Sequence, residues 1–104
     1  MDIHKQQVRQ FLDECTVRDL DDSAVLPAAD LYGMYIIWCE KTGSTSVAAP
    51  IFSRLVRGDG LEGDIRHRVR VFKGVAATGA IPIQYILETD KGPGPNSLLA
   101  GLQP

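Results

Sequence analysis

Three arginines, Arg66, Arg68 and Arg70, alternate with His67, Val69 and Val71, and side chains two residues apart along a strand share a face. A strand through residues 64–72 therefore predicts three guanidiniums on one surface, with Ile65, His67, Val69 and Val71 on the other and His67 hydrogen-bonded at that apolar margin. Lys73 extends the basic run, and Arg54 and Arg57 precede it on a helical pattern. Guanidinium groups grouped in this way suit phosphate oxygens, which accept from the planar fork of N–H donors. The chemistry implied is binding, not bond cleavage.

Other chemistries find little support in the spacing. Serine, histidine, cysteine and acidic residues are present, yet none is spaced to set a nucleophile beside a base with a third orienting group. Lys41-Thr42-Gly43 matches one penicillin-binding motif, but its S-x-x-K partner is missing. A phosphate loop of the form G-x-x-x-x-G-K-[ST] does not occur. Cys15 and Cys39 form no C-x-x-C pair and lie far in sequence from His4 and His67, so they read as buried reduced thiols and not as zinc ligands. The carboxylate pairs Asp13-Glu14 and Asp21-Asp22 read as solvated charge. The expectation is a non-enzymatic chain with no cofactor and no metal site.

Charge is unevenly placed. The 104 residues sum to a net charge of −2, but residues 1–50 carry four basic and eight acidic side chains, whereas residues 51–75 carry six basic and three acidic ones. Positive charge thus collects in the segment that holds Arg54, Arg57, Arg66, Arg68, Arg70 and Lys73.

The elements that must position these groups follow from periodicity. Asp2 can cap a first helix whose Val8, Phe11, Leu12 and Cys15 repeat at i, i+3, i+4 and i+7, and which ends near Thr16. An acidic loop, Asp19-Leu20-Asp21-Asp22-Ser23, leads to a short strand at Val25-Leu26. Pro27 then opens a second helix, about Ala28 to Thr42, closed by Gly43. Its Tyr32, Tyr35 and Trp38 stand at helical spacing in an apolar run and are assigned to core packing. Val47 is placed as a hydrophobic staple, and Pro50 falls in the first turn of a third helix that stops at Gly58-Asp59-Gly60. Phe52, Leu55 and Val56 point inward there, leaving Ser53, Arg54 and Arg57 outside. Beyond Thr78, the run Ile81-Pro82-Ile83-Gln84-Tyr85-Ile86-Leu87 reads as an edge strand, because its proline cannot donate to a ladder. Lys91 to Ser97 reads as a flexible linker, and Leu98-Leu99-Ala100-Gly101-Leu102 as a short apolar docking motif.

Four stretches together resemble a known family. They are Val8-x-x-Phe11-Leu12-x-x-Cys15, Leu31-Tyr32-x-x-Tyr35-x-x-Trp38-Cys39-Glu40 closed by Gly43, Phe52 with Leu55, and Arg68-x-Arg70-Val71-Phe72-Lys73-Gly74-Val75. This pattern, over roughly two-thirds of the chain, resembles the C-terminal winged-helix domain of phage and plasmid primase-helicase replication proteins. The resemblance implies an α+β winged helix-turn-helix of three helices with a small antiparallel β-wing, here spanning residues 1–78; residues 79–104, which it does not reach, read from their own pattern as a C-terminal strand and flexible tail. It also implies duplex DNA as partner, with Arg54 and Arg57 on helix three and Arg66, Arg68, Arg70 and Lys73 on the wing making the contacts. The setting would be phage or plasmid DNA replication, or a small phage or prophage regulator. The chain departs from the family at Ala48, Ala49, Pro50 and Ile51, where a groove-reading turn would carry polar side chains. Apolar groups there can touch thymine methyls but cannot read hydrogen-bonding edges.

A single domain with one core is expected at this length. No apolar run approaches the eighteen residues of a spanning helix, and Met1-Asp2-Ile3-His4-Lys5 lacks the apolar stretch of a signal peptide, so a cytoplasmic protein with no membrane partner is expected. The alternative function is a protein-interaction domain on the same scaffold. It would dock through the apolar helix-three turn, and its C-terminal segment would hold a homodimer or a replication-protein partner.

Overall fold

The computed structural model describes residues 3–89. The chain folds as a mixed α+β unit of four helices and two small antiparallel sheets among those residues. In order these are α1 (Ile3–Cys15), β1 (Thr16–Val17), β2 (Val25–Pro27), α2 (Ala28–Thr42), α3 (Ala49–Gly58), β3 (Glu62–Arg66), β4 (Val69–Lys73), β5 (Ala76–Ala77) and α4 (Ala80–Thr89). The Asp2 cap, the 91–97 linker and the 98–102 apolar motif lie outside the described residues.

The helical spacing of apolar residues places the core where expected. Val8, Phe11, Leu12 and Cys15 of α1 meet Leu31, Met34, Tyr35, Trp38 and Cys39 of α2, and Phe52 and Val56 of α3 close the third side. Phe52 sits among aromatic rings, stacked on Tyr35 at 4.5 Å and tilted against Tyr32 at 5.5 Å. Full burial of such rings removes the largest blocks of apolar surface from water and sets how the three helices cross. Gly43 takes the left-handed conformation that ends α2 (φ 71°), and its N–H bonds the Cys39 carbonyl. Both cysteines are free and buried.

Two sheets flank this core. β4 lies between β2 and β3, so the strand that precedes α2 closes on the hairpin that follows α3. Phe72 opposes Leu26 on β2 and Gly63 on β3, and its ring enters the core. The second sheet pairs Thr16-Val17 with Ala76-Ala77, a contact the sequence pattern does not announce.

Two expectations are corrected. The segment Ile81–Leu87 is no edge strand: it forms α4, the fourth helix, with Pro82 in its first turn, where the missing N–H leaves no intrahelical bond unmade. α4 packs on α2 through Tyr85, whose hydroxyl donates to Asp30 Oδ1 at 2.7 Å. Gly33 makes room for this ring, since a Cβ at that position would overlap Tyr85 Cε1. The run from Asp64 to Phe72 is likewise not one strand. It turns at His67 (φ 52°) and Arg68 (φ 68°), and positive φ at both central residues marks a type I′ hairpin turn.

Candidate nucleic-acid interface

The hairpin turn redistributes the basic side chains. Residues directly opposed in an antiparallel ladder lie on one face, so Ile65 with Arg70 and Gly63 with Phe72 share the side that looks toward the core and α3, while Arg66 with Val69, Asp64 with Val71 and Glu62 with Lys73 share the other. Arg66 and Arg70 therefore lie on opposite faces, Arg68 caps the turn between them, and the expected single row of three arginines does not form. His67 is exposed in the turn and does not sit at an apolar margin.

Pairing sorts the cations a second time. Arg66 Nε lies 2.7 Å from Asp64 Oδ2, and its guanidinium also reaches the Asp22 carbonyl at 3.4 Å. The hydrogen bond from Arg66 is the main cause holding the Asp64 carboxyl below its ordinary range. Lys73 Nζ lies 3.3 Å from Glu62 and 4.0 Å from Asp22. Arg54, Arg57, Arg68 and Arg70, by contrast, are exposed and enter no ion pair among the described residues. All four belong to α3 or the hairpin.

Between those two elements lies a cleft of about 260 Å³ lined by Ser53 and Arg57 from α3, Ile65 and Arg70 from the hairpin, and Ala28 and Phe72 at its base. Gly63 brings the backbone of β3 close to α3, and a Cβ there would come to 4.0 Å from the stem of Arg57. The cleft is thus apolar at its floor and carries a guanidinium on each wall, with Asp64 also part of its lining.

Five side chains, Tyr32, Tyr35, Asp59, Arg9 and Arg18, fix the two ends of α3 against the rest of the molecule. The start of α3 has no side-chain cap at Ala48. Instead the Tyr32 hydroxyl donates to the Val47 carbonyl at 2.9 Å, and the Val47 N–H donates to the Tyr35 hydroxyl at 3.1 Å. Burial pushes the Tyr35 hydroxyl up to about 12, so it stays protonated at neutral pH. The other end of α3 is fixed by Asp59, whose side chain is only 6% exposed and accepts from Arg9 Nε at 2.8 Å and Arg18 Nη1 at 2.6 Å. Arg18 also bonds Asp13 at 2.7 Å. Burial alone would raise the Asp59 carboxyl, but the two guanidiniums outweigh it and hold the group below its ordinary value. A clasp of α1 onto the end of α3 results. The Gly58-Asp59-Gly60 stop signal hinted at the turn, but nothing in the spacing named Arg9 or Arg18 as partners.

No group of three or more histidine, cysteine or acidic side chains among the described residues is placed to hold a metal ion, and no described helix is long and apolar enough to cross a membrane. Comparison with protein-family models, curated proteins and solved structures finds no significant match for the chain.

Proposed function

We propose that this chain is a non-enzymatic winged-helix module that binds duplex DNA, with α3 as the groove helix and the β3–β4 hairpin as the wing. The order of elements supports the scaffold: three helices, a strand before the second, and a hairpin after the third on which that strand closes. One observation carries the functional reading. Arg54, Arg57, Arg68 and Arg70 are the unpaired arginines among the described residues, and all stand on α3 or the β3–β4 hairpin, with Arg57 and Arg70 lining the cleft between them. Arg66 and Lys73, already neutralised by carboxylates, contribute less. The sequence resemblance points to phage or plasmid replication as the setting.

Each phosphate neutralised releases condensed counterions, so four contacts give a slope of log K against log salt of roughly −3.6. Fluorescence anisotropy with a labelled duplex across salt concentrations measures it. The variant with Arg54, Arg57, Arg68 and Arg70 all replaced by alanine is expected to lose most of this slope, while Arg66→Ala with Lys73→Ala retains it. An unchanged slope in the fourfold variant overturns the proposal. A second reading, docking to a protein or to another copy, is favoured by Ile83 and Leu87, which lie one turn apart on α4 and are 61% and 66% exposed. A dimer mass on gel filtration, with arginine-independent behaviour on DNA, would support it instead.

A further inference from the structure

We propose that the surface formed by α3 and the wing selects A·T-rich duplex DNA, an inference that rests on the DNA-binding reading above and specifies its substrate. Two observations on separate elements lead to the same base pair.

The first is the outer face of α3. Ala48, Ala49 and Pro50 are exposed, as is Ile51 at 45%. None of these side chains can donate or accept a hydrogen bond. Of the groups that base pairs present in the major groove, the thymine C5-methyl is the one that apolar side chains recognise, and G·C pairs lack it. Ile51 lies three residues before Arg54, so the two are neighbours on the helix surface. A phosphate held by Arg54 would set Ile51 against the adjacent base edges.

The second is the tip of the wing. Arg68 is exposed, unpaired among the described residues and held at φ 68° in a two-residue turn. Such turns favour asparagine and glycine, and an arginine in the left-handed region is uncommon and strained. Strain kept at an exposed apex points to a use for the side chain there. An arginine at the end of a narrow hairpin fits a minor groove, and A·T tracts offer the narrowest groove with the most negative potential. Ile65 and Val69 flank the apex at 64% and 48% exposure, an apolar collar suited to deoxyribose walls. G·C pairs add a protruding 2-amino group in that groove and so disfavour the same insertion.

Four duplexes of equal length separate the two contacts: A·T-rich, G·C-rich, A·T-rich with deoxyuridine in place of thymidine, and G·C-rich with deoxyinosine in place of deoxyguanosine. Deoxyuridine removes only the methyl; inosine removes only the minor-groove amino group. At fixed salt the A·T-rich duplex is expected to bind roughly tenfold more tightly than the G·C-rich one. Deoxyuridine should weaken binding several-fold in the native chain and not in Ile51→Ala. Inosine should strengthen binding to the G·C duplex in the native chain and not in Arg68→Ala. Equal affinity for all four duplexes, with the salt slope intact, overturns the A·T inference and leaves DNA binding standing. Failure to bind any duplex overturns both.

Discussion

Replacing Asp59 by asparagine tests whether the clasp on α3 is what fixes that helix against the rest of the molecule. The substitution keeps shape and one acceptor oxygen but removes the charge on a side chain that is 6% exposed and accepts from two guanidiniums. A hydrogen bond to a charged group contributes about 1.5–3 kcal/mol. Arg9 is 60% exposed and can turn to water, so its share is strongly screened. Arg18 is 28% exposed and keeps its bond to Asp13, so it is not stranded. The expected loss is therefore about 2 kcal/mol and not the 3–5 kcal/mol of a fully buried pair that is broken. For a domain of this size that lowers Tm by about 10 °C.

The pH dependence supplies an independent check. The folded Asp59 carboxyl titrates below its ordinary value of 3.8, so its stabilising contribution is fully present above that value and is lost as pH falls through the folded one. Urea denaturation at stepped pH should show a gap between native and Asp59→Asn that is constant from neutral pH down to about pH 5 and narrows below about pH 4. Asp64, paired with Arg66 and not with Arg9 or Arg18, occurs in both proteins and cancels in the difference. A gap at neutral pH under about 0.5 kcal/mol, within the range of ordinary surface substitutions, would refute the clasp. A gap unchanged at pH 3 would refute its ionic character.

Gly33→Ala sets two known effects against each other. Alanine favours the helix by about 1 kcal/mol, but its Cβ overlaps the Tyr85 ring, which the Asp30 hydrogen bond holds in place, and overpacking costs about 1–3 kcal/mol. Net destabilisation is expected in the native chain and stabilisation in a Tyr85→Ala background, both read by urea denaturation; the same sign in both backgrounds would show that the ring is not the obstacle. Arg68→Gly removes a side chain from positive φ and is expected to raise stability by about 0.5–1 kcal/mol while lowering DNA affinity. Calorimetry and anisotropy should thus move in opposite directions, and movement together would contradict the role given to the wing tip.

Much of the scaffold was legible because its signals are local. The second helix from Ala28 to Thr42, its Gly43 stop, the strand at Val25-Leu26 and the third helix with Pro50 near its start all follow from apolar spacing and from residues with restricted φ. The hairpin turn was not legible, because His67-Arg68 carries neither glycine nor asparagine and its flanks keep an unbroken alternation. Tertiary context overrides preference there: β4 is held by β2 on one side and β3 on the other, and the ladder fixes where the chain must reverse. α4 was misread for a related reason. Isoleucine and proline in Ile81-Pro82-Ile83 favour a strand reading, but the contact that decides the matter is Tyr85 over Gly33, 52 residues away in sequence.

The hardest property to foresee was which cations would remain unpaired. Asp22, Glu62 and Asp64 look in sequence like dilution of a basic segment, yet in the fold they draw in Arg66 and Lys73 on one face of the hairpin. Asp59 and Asp13 draw in Arg9 and Arg18 at the α1–α3 contact. These acidic residues thus neutralise Arg9, Arg18, Arg66 and Lys73 and leave Arg54, Arg57, Arg68 and Arg70, on α3 and the hairpin, without a carboxylate partner among the described residues. A net charge of −2 is then compatible with DNA binding at close range, since at physiological salt charges beyond about 8 Å are largely screened and the local arginines dominate. The same screening implies weak long-range steering toward DNA, so salt should act mainly on the lifetime of the complex and less on the rate at which it forms.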